Sequence, residues 1–121
     1  MDSITLKELQ QKVDEWIKTK GVRYFSELTN LGILMEEVGE LSRIITRTYG
    51  DQSFKQGESP DKLAEEMADI LFVLVCLANQ TGVDLSLAMK AAFSKRNTRD
   101  AQRHLNNPKL KSNKGSGIEY H

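Results

Sequence analysis

Six acids fall in two short clusters, "EEVGE" at 36–40 and "EEMAD" at 65–69. Glu37 and Glu40 are three residues apart, as are Glu66 and Asp69, so on helices each pair projects from one face, one turn apart. An ionised carboxylate taken out of water without a partner costs several kcal/mol, and four that converge also repel one another. A cation must offset this. Lys and Arg are absent from both stripes, which leaves a divalent ion held by oxygen ligands. Mg²⁺ suits an all-carboxylate site completed by water, with Mn²⁺ as its substitute, whereas Zn²⁺ or an iron pair usually takes His or Cys. The two histidines, His104 and His121, stand outside any Glu-x-x-His pattern. The bland meaning of such charge runs is a solvated helix face laced by i to i+4 pairs. Two clusters of matching geometry, each merging with an apolar stripe, outweigh that meaning.

The elements that must carry these acids all read as helix. Thr5 and Glu8 form a capping box, after which Leu6, Leu9, Val13, Trp16 and Ile17 recur at helical spacing until Gly21. A second helix, capped by Ser26 or Thr29, runs to about Tyr49 and stops at Gly50, with Arg43 and Arg47 near its C-terminal dipole. "DQSFKQGES" is loop, and Ser59 with Pro60 opens a third helix that runs to about Thr81. Asp84 opens a fourth, with Leu85, Ala88, Met89, Ala92 and Phe93 as its stripe, reaching about His104. No stretch alternates as a strand does. The fold class is all-α, a bundle of four helices.

At about 100° per residue, with Glu37 at zero, Glu40 falls at roughly −60° and Glu36 at roughly −100°. Ile33, Leu34, Val38, Leu41, Ile44 and Ile45 spread between about −40° and +100°. Setting Glu66 at zero on the third helix puts Asp69 and Glu65 at those same two angles, beside Leu63, Ile70, Val73, Leu74 and Leu77. Gly32 and Gly39 lie nearly opposite Glu37, a side that expects close packing on another helix, across a subunit boundary or within the chain. "ILFVLVCLA" at 70–78 is apolar around the whole circumference and demands cover on every side. Four helices of this size hardly supply it, so a homo-oligomer, dimer or tetramer, is expected.

Composition bounds the rest. At 121 residues, 39% hydrophobic and 28% charged, the chain supports one modest core. The longest apolar run is too short for a membrane span and "MDSITLKELQQ" is no signal sequence, so the expected setting is cytoplasmic. The lone Cys76, inside the apolar run, is a buried inert thiol. Residues 1–89 carry 9 basic and 15 acidic side chains, and residues 90–121 carry 8 and 2. That basic end has no interleaved aromatics and no reader motif, which argues against nucleic acid and for charge pairing or a small anion. The expected organisation is one domain over residues 1–105 and a mobile basic tail over 106–121, where "NNPKLKSNKGSGIEYH" has neither period nor enough apolar residues to dock.

The two acidic motifs fit an E-E-x-x-E, spacer, E-x-x-D signature. With the flanks "LMEEVGELSRII" and "DILFVLVCLAN" and the downstream "SKRNTRD", the chain resembles the short, single-domain members of the MazG-like all-α nucleoside triphosphate pyrophosphohydrolases over residues 5–103. The resemblance implies a Mg²⁺-dependent, oligomeric enzyme that hydrolyses a nucleoside triphosphate to the monophosphate and pyrophosphate, removing non-canonical or surplus nucleotides. It implies Glu37, Glu40, Glu66 and Asp69 as metal ligands, and Glu36 as a ligand of an additional ion or the group that orients the attacking water. Lys95, Asn97 and Arg99 match positions that contact nucleotide or phosphate in the family. Independently, a carboxylate cluster alone repels a triphosphate, so a cationic clamp is needed, and the basic end of helix four offers one. The plain alternative for those cations is a solvated helix C-terminus balancing its dipole.

Trp16 could stack on a base, as could Tyr24 or Phe25, although an aromatic on an apolar helical stripe is more often core. Phosphoribosyl-ATP pyrophosphohydrolase of histidine synthesis shares the superfamily but has a Tyr-His pair shortly after the second motif's Asp, where this chain has Phe72 and Val73. A metal-stabilised helical regulator or scaffold without turnover is the alternative from another class.

Overall fold

A computed structural model describes residues 3–112, and among them there is no strand. Helix α1 covers Leu6–Thr19, and its capping box forms as the sequence implies: the Thr5 hydroxyl accepts from Glu8 N at 3.1 Å while the Glu8 carboxylate accepts from Thr5 N at 3.3 Å. Helix α2, Glu27–Tyr49, takes Ser26 rather than Thr29 as its cap and ends at Gly50. A Cβ at Gly50 would collide with the carbonyl oxygen of Thr46, which is why glycine closes this helix. A 3₁₀ turn, Pro60–Lys62, capped by Ser59, feeds α3, Leu63–Thr81, and Gly82 at φ 72° ends it in the left-handed conformation that glycine adopts without strain.

The described residues form two compact units that divide after Leu85. In the first, α3 packs against both α1 and α2. Its core consists of Val13 and Ile17 from α1 and Val75 and Cys76 from α3, with Leu9, Tyr24 and Leu85 against them. Cys76 is buried as expected, and burial pushes its thiol pKa up. Trp16 is not core; it is 46% exposed and meets Phe72 edge to face at 5.8 Å. The end of this first unit is tied to α1, where the Gln10 side chain donates to Val83 O at 2.8 Å and accepts from Leu85 N at 2.9 Å.

The demand that α3 be covered all round is met on two sides. Val75 is fully buried, Val73 and Leu77 are half-buried, and Met67, Leu71 and Leu74 stay exposed. On α2 the exposed stripe is Leu28, Leu31, Met35 and Val38. Val38 and Leu74 were expected on the inward faces; each sits at the positive edge of its wheel and is the first to lose cover. Nothing lies within 4 Å of a Cβ built at Gly32 or Gly39, so no described residue packs closely on that side.

The second unit continues α4, Leu85–Lys95, through a π-helical stretch, Arg96–Asp100, into α5, Ala101–Leu105. The fourth helix therefore reaches the expected end near His104 with one wide turn in it. None of the residues in these three segments is buried. Part of the expected tail is helical: Pro108–Ser112 form α6, started by a first-turn proline and by the Asn107 side chain, which accepts from Lys109 N at 3.0 Å. The remainder of that tail, residues 113–121, lies outside the described residues. Among the described residues no single helix is long and apolar enough to cross a membrane.

Candidate functional site

Helices α2 and α3 bring both motifs together. Glu37, Glu66 and Asp69 each offer a carboxylate oxygen, and the three atoms lie within 4.8 Å of one another. Glu37 and Glu66 are half-buried and Asp69 is exposed, so the trio is partly open to solvent where α2 meets α3. Glu66 Oε2 is buried and has no hydrogen-bond partner. Glu37 shares a hydrogen bond with the Glu66 carboxylate, which pushes its pKa up to about 7, assisted by burial and by the charges of Glu66, Asp69 and Glu40. Among the described residues no Lys or Arg pairs with any of the three.

This arrangement fits a divalent cation. The donors are all hard oxygens, they are close enough to share one ion, and a buried carboxylate oxygen without a partner is the orphan a cation would satisfy. Two of the predicted acids fall outside the trio. Glu40 is exposed one turn beyond Glu37 and lines, with Glu66, an adjoining polar cavity of about 200 Å³. Glu36 is exposed. That cavity also contains Arg43, Lys62 and Glu58, which the sequence did not single out. Glu58 anchors the loop before α3: it accepts from Arg43 Nη1 at 3.2 Å and from Lys55 N at 2.9 Å, and lies 3.7 Å from Arg47 Nη1. The Lys55 amide and the two arginines hold its carboxyl below the usual range.

A second cavity, of about 280 Å³ and mostly apolar, is lined by Trp16, Tyr24, Phe25, Ile33, Phe72 and Val73, with Asn30 and Cys76 also on its wall. It shares its two helices with the acids. Ile33 and Asn30 precede Glu37 by four and seven residues, and Val73 and Cys76 follow Asp69 by four and seven. At 1.5 Å per residue, it is about 6 to 10 Å along these helices from the trio. Trp16 thus lines a cavity whose other walls include residues of the two helices that carry the acids. Val22, in the turn that supplies Tyr24 and Phe25, has φ 71°, a conformation that a β-branched residue adopts only under constraint. Tyr24 is held by two partners: its hydroxyl donates to Asp14 Oδ1 at 2.6 Å and accepts from Asn79 Nδ2 at 3.0 Å. Burial and the Asp14 carboxylate push its pKa up to about 12, and the Tyr24 hydroxyl, with Lys18, holds Asp14 low.

Lys95 ends α4, and Asn97 and Arg99 lie in the π-helical stretch of the second unit. Arg99 Nε is 3.6 Å from its neighbour Asp100. A π turn re-aims side chains relative to a regular helix and often marks functional positions. Helical periodicity alone gives no sign of it.

Comparison with known proteins gives the family. A family model described as the MazG nucleotide pyrophosphohydrolase domain matches residues 25–104. The chain is 41% identical over 103 residues to YpjD of Bacillus subtilis (strain 168), covering 85% of this chain and 93% of that one. It is 34% identical over 89 residues to human dCTP pyrophosphatase 1, covering 70% of this chain and 52% of that one. The crystal structure of Bacillus subtilis YpjD superposes with a TM-score of 0.71 at 40% identity, over 81% of this chain and all of that one. A Bacillus-conserved MazG protein, a nucleotide pyrophosphohydrolase, superposes at 0.68 and 36% identity, over 82% and 96% of the two chains. Acidic motifs that meet across two helices, an all-helical fold and relatives of this kind converge: the chain belongs to the MazG family of nucleotide pyrophosphohydrolases.

Proposed function

We propose that this enzyme converts nucleoside or deoxynucleoside triphosphates to the monophosphate and pyrophosphate with Mg²⁺, or Mn²⁺ in its place, and so clears non-canonical or surplus nucleotides. The observation that carries the reading is the meeting of Glu37, Glu66 and Asp69 without a protein cation. Those three would hold the ion, and Glu40 would complete the set from one turn further along α2. The ion would supply charge neutralisation at the triphosphate and a water activated near neutral pH. Glu36 orients the attacking water and takes its proton. The water oxygen bonds to the α-phosphorus, and the α–β bridging oxygen departs with pyrophosphate. Lys95, Asn97 and Arg99 contact the phosphates, an assignment that rests on their match to the family's downstream polar positions.

The base enters the aromatic cavity, with Trp16 at its rim. Its distance of about 6 to 10 Å from the acids supports this, because the sugar and α-phosphate of a nucleotide bridge a comparable span. The exposed stripes of α2 and α3, and the open glycine side of α2, support a homo-oligomer, dimer or tetramer, in which a second copy completes the helical bundle. Replacing Met35, 54% exposed, by Glu should shift the enzyme to a smaller species in light scattering without loss of helix; an unchanged mass would refute that interface.

A panel of NTPs and dNTPs incubated with Mg²⁺ tests the reaction. Pyrophosphate as product supports it, orthophosphate alone rejects cleavage between the α- and β-phosphates, and a complete lack of turnover favours a metal-stabilised scaffold.

A further inference from the structure

Asn30 is the single buried polar residue among the described ones, at 5% exposure, and it lies on the wall of the aromatic cavity. Its amide orientation follows from its neighbours. Gln80 Nε2 donates to the backbone carbonyl of Phe25 at 2.6 Å and to Glu27 Oε1 at 3.3 Å. Both of those oxygens only accept, so the Gln80 nitrogen must face them and its oxygen must face Asn30. Gln80 Oε1 accordingly accepts from Asn30 Nδ2 at 2.8 Å. That bond leaves Asn30 Oδ1 as an acceptor to which no described donor is bonded. The cavity therefore has aromatic walls, an exposed rim at Trp16, Arg23 and Phe25, and one acceptor of fixed orientation on the Asn30 side chain.

Resting on the pyrophosphohydrolase reading, we propose that Asn30 Oδ1 selects bases with an exocyclic amine at the position farthest from the sugar, cytosine and adenine, over the oxo bases uracil, thymine and hypoxanthine. A base that enters edge first, with its phosphates toward the acids, carries its 4-substituent (pyrimidine) or 6-substituent (purine) deepest. Asn30 precedes Glu37 by seven residues, about 10 Å along the helix, which matches the reach from that substituent to the α-phosphate. An amine there donates to Oδ1. An oxo group sets two acceptors against each other and leaves the asparagine oxygen without a donor. Discrimination built on an unpaired buried polar group is stronger than discrimination by apolar size. Gln80 is a positioning residue in this scheme, because its bonds to Phe25 and Glu27 prevent the Asn30 amide from turning over.

The test is calorimetric binding of α,β-imido analogues of dCTP, dATP, dUTP and dTTP with Mg²⁺, which needs no chemistry to occur. The dCTP and dATP analogues should bind at least about 10-fold more tightly than the other two. Equal binding, or a preference for the oxo bases, overturns this selection and leaves the hydrolysis reading intact; no binding by any analogue overturns both. Asn30→Leu should reduce the amine-to-oxo ratio to within about threefold, with the fold followed by circular dichroism. If that variant does not fold, an imido analogue carrying 2-pyrimidinone, which has hydrogen at position 4, decides the matter in the unaltered enzyme. It should bind more weakly than the cytosine analogue, and equal affinity would overturn the proposal.

Discussion

The two ends of the α2–α3 pair are built on opposite principles. At one end, Glu37, Glu66 and Asp69 converge with no counter-charge, and one of their oxygens is buried without a partner. At the other, hydrogen bonds of 2.6 to 3.0 Å form two sets, Asn30 with Gln80 between α2 and α3, and Asp14 with Tyr24 and Asn79 between α1 and α3. One end is unfavourable by itself and complete only with a cation; the other is structurally complete by itself and leaves one acceptor, Asn30 Oδ1, open to a ligand. A protein concentrates strain where a ligand relieves it and fixes the surroundings with satisfied contacts.

Neutralising one acid should sharpen that contrast most. Asp69→Asn should lower pyrophosphate release by about 10³-fold or more, since the site loses a charge on which cation binding depends. In EDTA the same variant should melt higher than the unaltered protein, because it removes part of the repulsion. Activity loss together with a lower melting point in EDTA would mean that Asp69 is there for stability, and the two ends would not differ in kind.

At the complete end the sign reverses. Asn79 donates to Gln10 O at 3.0 Å and to the Tyr24 hydroxyl at 3.0 Å, and accepts from Gln10 Nε2 at 3.0 Å. Asn79→Leu should destabilise the protein by about 2 to 3 kcal/mol in denaturant unfolding, with or without Mg²⁺, because several partners lose their bonds at once. A loss confined to Mg²⁺-containing buffer would join this residue to the cation site.

The acid end was legible from spacing alone, because i and i+3 acids on two apolar stripes cannot face inward without a cation. The helix ends were legible too, since Thr5, Ser26, Gly50 and Gly82 act through local backbone chemistry. The withdrawal of Glu40 from the trio was not, because a wheel gives direction from the axis and leaves the separation of two helices undetermined. The network at the far end depends on which residues of α1 and α3 come opposite one another, information that no local pattern contains. One signal was available: Asn30 lies about 20° from Glu37 on the wheel, a polar residue in the middle of an apolar face. The π turn over Arg96–Asp100 and the α6 helix have no comparable signal in hydrophobic period.

Protonation gives a smaller lever on the same comparison. In the metal-free protein the Glu37 pKa is about 7 against an ordinary 4.5, so the folded state binds this proton more tightly than the unfolded chain. Its contribution to stability is fully present below about pH 4.5 and is lost as the pH rises through about 7. Asp14 and Glu58 are held low and act in the opposite sense, losing their contributions only as the pH falls through their depressed values. Thermal melts in EDTA should therefore fall by a few degrees between pH 5 and 8, and Glu37→Gln should flatten that slope. An equal slope in the variant would remove Glu37 as its origin.

The smallest effect concerns the turn that joins the complete end to α2. Val22 is 85% exposed and holds φ 71°, so its side chain contributes little packing to set against the unfavourable conformation. Val22→Gly relieves that conformation in the folded state but widens the freedom of the unfolded chain, two effects of about 1 kcal/mol each and opposite sign. For a β-branched residue the first is the larger, and the net expectation is a gain of up to about 1 kcal/mol in denaturant unfolding. If the turn is kept strained in order to hold Tyr24 and Phe25 against the cavity, the same variant should weaken nucleotide binding while it stabilises the fold. A variant that gains stability and binds nucleotide equally well would show the strain to be incidental, and would leave the cavity wall to the Tyr24 and Gln80 hydrogen bonds alone.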